Sequence, residues 1–284
     1  MKINHLDTKK YKRFFAFGCS FTDFHWPTWA DIIGREIPYY ENWGKAGGGN
    51  QFIFNSFIEC DAKYNFNKDD LVVIMWSSIE REDRYTGSNW LVAPHTQRTR
   101  IYGDKWVKQF GNEIRGFLIR DLAVIRAAQQ ILKTRHCDWA NLSVSPISKM
   151  DRSTIDVIDL NHLNELHRRY VKLHTDLCLG KLVTEPHAHS PDVLTFYSEV
   201  FKNIEDSCLS VVFKGEWNTP PRPAKNDSHP TPKEHLQYLQ SIYPTFVPMY
   251  DTQNFIQEWE NTVWNLKDSE DVNETFKTHK IVRL

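Results

Sequence analysis

The chain has 284 residues, and its 35 Lys and Arg residues nearly balance 36 Asp and Glu residues, for a formal net charge of -1. A nucleic-acid-binding protein usually has a strongly basic face, so this balance argues against a nucleic-acid partner. Apolar residues make up 40% of the sequence, as in ordinary globular proteins. This length is enough for one large domain with insertions.

The cysteines and the apolar runs narrow the class of protein further. The five cysteines are widely spaced and form no CxxC pair, so we expect neither a disulfide framework nor a cysteine-bound zinc. The first residues include no apolar segment of the length that a secretory signal needs, and the longest apolar run, 71–76, is too short for a membrane span. We therefore expect a cytoplasmic protein with no membrane partner.

Predicted strands and helices alternate along the chain. Strands are expected at 13–17, 38–42, 69–76, 138–144 and 210–213, and helices at 28–36, 51–60, 114–133, 159–179 and 233–242. The continuous apolar run within 69–76 is typical of a strand buried on both faces of a parallel sheet. This alternation predicts the α/β class, and we expect a three-layer α/β/α, flavodoxin-like sandwich with a mainly parallel sheet.

The domain organisation that we expect is a single body. Residues 1–242 would form one α/β domain with insertions at about 84–112 and 180–225, and residues 243–284 would be a C-terminal extension packed on it. The first insertion is polar, aromatic and irregular in pattern. In open sheets of this kind, ligands bind where the strands end, so polar motifs at those points are the candidates for a site.

Two short motifs could supply a nucleophile and its base. Ser20 follows the first predicted strand, in a turn where a helix N-terminus would favour negative charge, although a plain capping turn has the same pattern. His229 could accept the serine proton, and Asp227 could hold its other ring nitrogen, with Asn226 as an uncharged alternative. The same late segment would also fit a surface turn that caps the next helix.

Taken together, these segments resemble the SGNH (GDSL-type) hydrolases. Residues 15–22 look like the first block of that family, with Cys19 where the commoner pattern has Asp. Residues 42–47 match the second block, N-x-G-x-x-G, and residues 227–230 look like the last block with its Asp–His spacing shortened by one residue. The blocks occur in family order between about residues 13 and 235, and so span most of the chain.

The resemblance implies ester hydrolysis or acyl transfer without a metal or other cofactor. Ser20 would attack the acyl carbonyl, His229 would act as general base and then as general acid, and Asp227 would orient His229. The backbone N–H groups of Ser20 and Gly47 would hold the oxyanion. The implied partner is a small-molecule or glycan ester.

The third block departs from the family pattern, because Ile79 stands where the oxyanion-binding Asn is expected. Isoleucine cannot donate a hydrogen bond, and loss of one such donor typically slows turnover about 10²- to 10³-fold. The nearby polar substitutes are Ser78, Asn50 and Arg81. Arg81 would suit a carboxylate, phosphate or sulfate on the substrate, or it would pair with an acidic neighbour, Glu80, Glu82 or Asp83. We expect Arg81 and Trp76 to contact the substrate.

The favoured function is therefore a serine esterase with a Ser–His–Asp triad. An acylated carbohydrate is the expected substrate, since Trp90, Trp106 and Trp217 fall in predicted loops where they would stack on sugars or anchor the insertions. Two alternatives stay open: a non-catalytic binding or structural protein, and an acyltransferase with the same triad. His187 and His189 have metal-ligand spacing, but their flanking prolines predict a loop, so we expect no metal site.

Overall fold

A computed structural model of the chain describes residues 1–79, 81–87, 89–93, 105, 114–145, 199–213, 227 and 229–266. Within these residues a central sheet has four parallel strands, namely β1 (Arg13–Phe17), β2 (Tyr39–Asn42), β3 (Asp70–Trp76) and β6 (Asp138–Ser143). Strand β1 lies between β2 and β3, and β6 pairs with the far side of β3. This order, 2-1-3 followed by the next sheet strand, is that of a flavodoxin-like doubly wound sheet.

Helices cover both faces of the sheet, which confirms the predicted α/β class. The helices are α1 (Trp29–Gly34), α2 (Asn50–Tyr64), α3 (Ile114–Thr134), α4 (Cys208–Phe213), α5 (Pro232–Ile242) and α6 (Tyr250–Trp264). Alternate residues of β1 face opposite sides: Phe15 and Phe17 pack against α2 and α3, whereas Phe14 and Ala16 pack against α1, α5 and α6. Strand β3 is buried along its whole length, as its continuous apolar run predicts.

The helices next to the site begin at residues suited to that position. Thr28 and Asp31 form a capping box at the start of α1, and Thr231 and Glu234 form one at the start of α5, where Pro232 occupies the first turn. Helix α6 adds Ile256 to the core cluster that α1 and α5 share. Among the described residues, no helix is both long enough and apolar enough to cross a bilayer.

Two predicted segments differ from the structure. The expected strand at 210–213 is the end of α4, whose first turn is held by Ser207 Oγ as it accepts from Ser210 N at 3.1 Å. Two adjacent valines suggested a strand, but one half-buried face of a short helix accommodates them equally well. Part of the first insertion is a regular hairpin of β4 (Glu82–Thr86) and β5 (Asn89–Ala93). The helix predicted at 159–179 lies outside the described residues.

Candidate active site

Ser20 lies in a tight turn at the carboxyl end of β1. The carbonyl of Cys19 accepts hydrogen bonds from the backbone N–H groups of Thr22 and Asp23, both at 2.9 Å. A Cβ on Gly18 would come within 2.0 Å of Thr22 Oγ1, so only glycine lets the chain turn this closely. The turn places the Ser20 side chain, 7% exposed, at the edge of the sheet where the strands end.

His229 and Asp227 complete a continuous line of hydrogen bonds with Ser20. The distance from His229 Nε2 to Ser20 Oγ is 2.7 Å, and that from His229 Nδ1 to Asp227 Oδ1 is also 2.7 Å. The backbone N–H of His229 donates to the same carboxylate oxygen at 2.8 Å. Each ring nitrogen therefore has its own partner, and the ring is held from both edges. Asn226, the uncharged alternative to Asp227, lies outside the described residues.

A buried tryptophan joins the two segments, which are about 200 residues apart in sequence. Trp26 Nε1 donates to the carbonyl of Pro230 at 2.8 Å, and this bond is buried. Trp26 belongs to the segment that follows Ser20, and Pro230 follows His229 directly. Because an unpaired buried N–H is costly, this bond fixes the approach of the two segments independently of the Ser20–His229 contact.

The turn after β2 brings the glycine cluster to the same edge. Asn42 Nδ2 donates to Thr22 O at 2.7 Å, and Lys45 N donates to Gly18 O at 3.1 Å, so this turn is bound to the Ser20 turn. Gly47 has a φ of +81°, a conformation that favours glycine. Among the backbone–backbone hydrogen bonds of the described turns and loops, none has the N–H of Ser20 or Gly47 as donor.

Asn50 has a different position from the one expected of an oxyanion donor. Its side chain is fully buried, and its Nδ2 donates both to Ser77 O at 3.1 Å and to Asp121 Oδ2 at 2.8 Å. Its Oδ1 accepts from Ser77 N at 2.8 Å. Both amide hydrogens are therefore already used, and Asn50 fixes the end of β3 instead of facing a substrate.

Trp76 also has a different environment from the expected one. Its indole is fully buried on the α2–α3 face of the sheet, and Nε1 donates to Asn141 Oδ1 at 2.8 Å. The expectation that Trp76 contacts substrate is therefore wrong. Ser78 Oγ lies 3.1 Å from Ser145 Oγ, where the loops after β3 and β6 meet. Ile79 is buried in the core beside Trp76 and contributes no polar group.

Arg81 lies against the glycine cluster. Its Nη1 donates to Gly48 O at 2.9 Å. The acidic neighbours have other partners: Glu82 pairs with Arg84 and Arg120, and Asp83 accepts from the backbone N–H groups at the start of α2, those of Gly49 and Phe52, both at 2.9 Å. Glu80 lies outside the described residues. Asp83 thus caps α2, and Arg81 is positioned by a carbonyl of the loop that contains Gly47.

An ion-pair cluster in which a half-buried arginine, Arg120, bonds to two buried carboxylates was not predicted from the sequence. Arg120 Nε donates to Asp121 Oδ1 at 2.8 Å, and Arg120 Nη1 donates to Glu82 Oε2 at 2.7 Å. Burial raises the pKa of Asp121 to about 7, although Arg120 and Asn50 act in the opposite direction. The signal was an Asp on the apolar face of the helix predicted at 114–133, since Asp121 and Ile125 are four residues apart and both buried.

His235 is a second buried titratable group close to the site. It lies in α5, and burial, with a smaller contribution from His229, lowers its pKa to about 3. The unfolded chain takes up this proton near pH 6.5, so the free energy of unfolding should fall as the pH drops from 6.5 toward 3, by up to about 1.4 kcal/mol per pH unit.

Replacing His235 by Leu tests this pH dependence. Urea unfolding at pH 6.5, 5.5 and 4.5 should give a shallower loss of stability for His235→Leu than for the wild type, with the difference growing as the pH falls. Parallel pH profiles for the two proteins would show that His235 is protonated equally in the folded and unfolded states.

No protein-family model matches the chain, and no curated protein matches its sequence. Among solved structures, it is similar to the crystal structure of a proposed acylhydrolase from Bacteroides fragilis NCTC 9343. The sequence identity is 12%, the match covers 93% of this chain and 88% of the other, and the TM-score is 0.37. At this level of similarity, function has to be argued from the side chains of this protein.

The site contains no recognisable metal centre in the part of the chain that the structure describes. No group of three or more His, Cys, Asp or Glu side chains comes together there in a way that could hold a metal ion. His187 and His189, with their metal-ligand spacing, lie outside the described residues, as do Trp106 and Trp217. Trp90 is half-buried and packs edge-to-face against Phe52 and Tyr85, an arrangement typical of an anchor for the hairpin.

Proposed function

We propose that this protein is a serine hydrolase that cleaves acyl esters, with Ser20 as nucleophile, His229 as general base and acid, and Asp227 as the partner of His229. The observation that carries the proposal is the unbroken line of two 2.7 Å hydrogen bonds from Ser20 Oγ through His229 to Asp227. A capping turn, the alternative for Ser20, requires no histidine at this distance and no carboxylate behind it.

The chemistry follows from the order of these contacts. His229 Nε2 takes the hydroxyl proton as Ser20 Oγ attacks the acyl carbonyl, and the protonated ring then gives that proton to the departing alcohol. Water, activated by the same nitrogen, releases the acid and regenerates Ser20. Asp227 keeps the Nδ1 proton in place and stabilises the charged imidazolium. An acceptor alcohol in place of water would give acyl transfer.

The oxyanion would be held by backbone groups. The N–H of Ser20 and that of Gly47 are the proposed donors, and neither donates to a backbone carbonyl in the described turns and loops. At the position of the third donor in the resembling family stands Ile79, which is in the core. Of its polar substitutes, Asn50 is fully engaged by Ser77 and Asp121, and Ser78 Oγ lies in hydrogen-bond contact with Ser145 Oγ. We therefore expect turnover to be slower than with three donors, by about 10²- to 10³-fold.

The substrate would combine an acyl ester with a group that Arg81 can bind. Its guanidinium is held beside the loop of Gly47 by the bond to Gly48 O, and a planar guanidinium suits a carboxylate, phosphate or sulfate. An acylated carbohydrate with such a group is the substrate class that we propose.

Labelling with a fluorophosphonate probe tests the nucleophile. The wild-type protein should react covalently at Ser20, and Ser20→Ala should remain unlabelled. Ser56 in α2 is 6% exposed, close to the 7% of Ser20, so Ser56→Ala is a matched control that should label normally. Intact-mass measurement would give one adduct per chain. Labelling that survives in Ser20→Ala would exclude this nucleophile, and a folded wild type without an adduct would favour the non-catalytic alternative.

A further inference from the structure

The imidazole of His229 lies against two aromatic rings of the segment that follows Ser20. The Phe24 ring is stacked on it, with centroids 3.8 Å apart and an interplanar angle of 19°. The Phe21 ring is tilted at 47° with its centroid 5.3 Å away. Phe21 is buried and Phe24 is half-buried. The mechanism proposed above uses the two edges of the imidazole and assigns nothing to its face.

Phe24 is itself held in place by a neighbour. Its ring meets that of Trp26 edge-to-face, with centroids 4.5 Å apart and an interplanar angle of 82°. The same Trp26 donates its indole N–H to Pro230 O. The segment 21–26 therefore contacts both the ring of His229 and the backbone that follows it, and the fully buried Trp26 packs against the Phe24 ring.

The stacked ring of Phe24 restrains a motion of the imidazole that the hydrogen bonds to its edges permit. The final torsion of a histidine side chain is broad, so two in-plane contacts still permit the ring to tilt out of their common plane. A parallel aromatic face at 3.8 Å limits that tilt. The face of a phenyl ring also attracts a cation, so the contact becomes more favourable when His229 carries the proton taken from Ser20.

We infer that Phe24 is a positioning residue for His229: its ring holds the imidazole plane toward Ser20 during the proton transfer. This inference rests on the proposed function, because it assigns Phe24 a role in the proton transfer from Ser20. Phe24 itself contacts no reacting atom. Its effect should therefore appear in the rate of the chemical step and not in the binding of substrate.

Two substitutions of Phe24 distinguish the effect of its aromatic face from the effect of its apolar volume. Phe24→Leu keeps an apolar side chain but removes the face, whereas Phe24→Tyr keeps the face. With p-nitrophenyl acetate, Phe24→Leu should lower kcat about tenfold with KM nearly unchanged, and Phe24→Tyr should stay within about twofold of wild type. Phe255→Leu is the matched control. Phe255, in α6, is also half-buried, but its ring packs on Arg35 and Trp259.

Nuclear magnetic resonance tests the contact without relying on activity. A stacked phenyl ring shields the protons above it, so the ring-proton resonances of His229 should move downfield in Phe24→Leu and remain in place in Phe24→Tyr and Phe255→Leu. The resonance shifts report on the Phe24–His229 contact even if the wild type does not react with a fluorophosphonate. Such a lack of reaction would count against the proposed function and not against the contact. Unmoved resonances in Phe24→Leu, an effect on KM without one on kcat, or a Tyr variant as slow as the Leu variant would overturn the inference.

Discussion

Ser20→Ala and His229→Ala are each expected to lower kcat for a short acyl ester by about 10⁶-fold, and the double variant should be no slower than either single variant. The two side chains share one hydrogen bond of 2.7 Å and act on the same proton, so removing either one disables the other. Steady-state hydrolysis of p-nitrophenyl acetate by the purified variants, with circular dichroism to check folding, measures this. Losses that add in the double variant would show that the two residues act separately.

Asp227 should give a graded result within the same series. Asp227→Ala removes the partner of Nδ1 and should cost about 10⁴-fold in kcat. One oxygen, Oδ1, accepts from both the Nδ1 and the backbone N–H of His229, so the Oδ1 of an asparagine could still accept both bonds. Asp227→Asn therefore removes the charge and keeps the ring orientation, with an expected cost of about 10²-fold. If Asp227→Ala and Asp227→Asn lower kcat equally, the charge of Asp227 and its orientation of the His229 ring do not contribute separately.

The sequence pattern was sufficient to predict the fold that surrounds the site and the edge of the sheet at which the site lies. The alternation of apolar strands and amphipathic helices predicts a parallel sheet, and the end of β1 is then the place where Ser20 must lie. The late position of His229, just before a helix with a Thr–Pro start, brings it to the same edge. Local chemistry dominates these features, because strand burial, capping residues and turn residues depend on near neighbours.

Residues whose partners are distant in sequence could not be placed in the same way. Trp76, expected to contact substrate, is the last residue of β3, but its side chain lies on the α2–α3 face and bonds to Asn141, 65 residues away. The sequence offers Asn50 as a nearby polar substitute for the missing oxyanion donor, but Ser77 and Asp121 occupy its amide. The Asn50–Asp121 bond requires the packing of α3 against α2, and the Trp76–Asn141 bond requires the pairing of β3 with β6. No short-range pattern predicts either contact.

Arg120→Met is expected to lower the free energy of unfolding by about 3–5 kcal/mol. Arg120 donates to two carboxylates that are almost wholly buried, Asp121 and Glu82, and also to the carbonyl of Arg81 at 2.7 Å. Removing the guanidinium leaves Asp121 without its cation at a fully buried position. Urea unfolding followed by fluorescence measures the loss. Arg120 also packs over the ring of Phe117, so lost packing is the competing explanation.

A double variant and the pH dependence separate these two explanations. Arg120→Met with Asp121→Asn should recover about half of the loss, because a neutral amide at 121 needs no cation and can still bond to Asn50. In Arg120→Met alone, the pKa of Asp121 should rise above about 7, since Arg120 normally lowers it. The folded chain keeps a proton that the unfolded chain releases near pH 3.9, so stability falls as the pH rises from there through the folded-state pKa. In Arg120→Met this fall should extend to higher pH than in the wild type. If packing on Phe117 accounts for the loss, the double variant will be no more stable than Arg120→Met, and the pH dependence of stability in Arg120→Met will match that of the wild type. Recovery and pH response together would assign the loss to the buried charge beneath the site, which Asn50 connects to the end of β3.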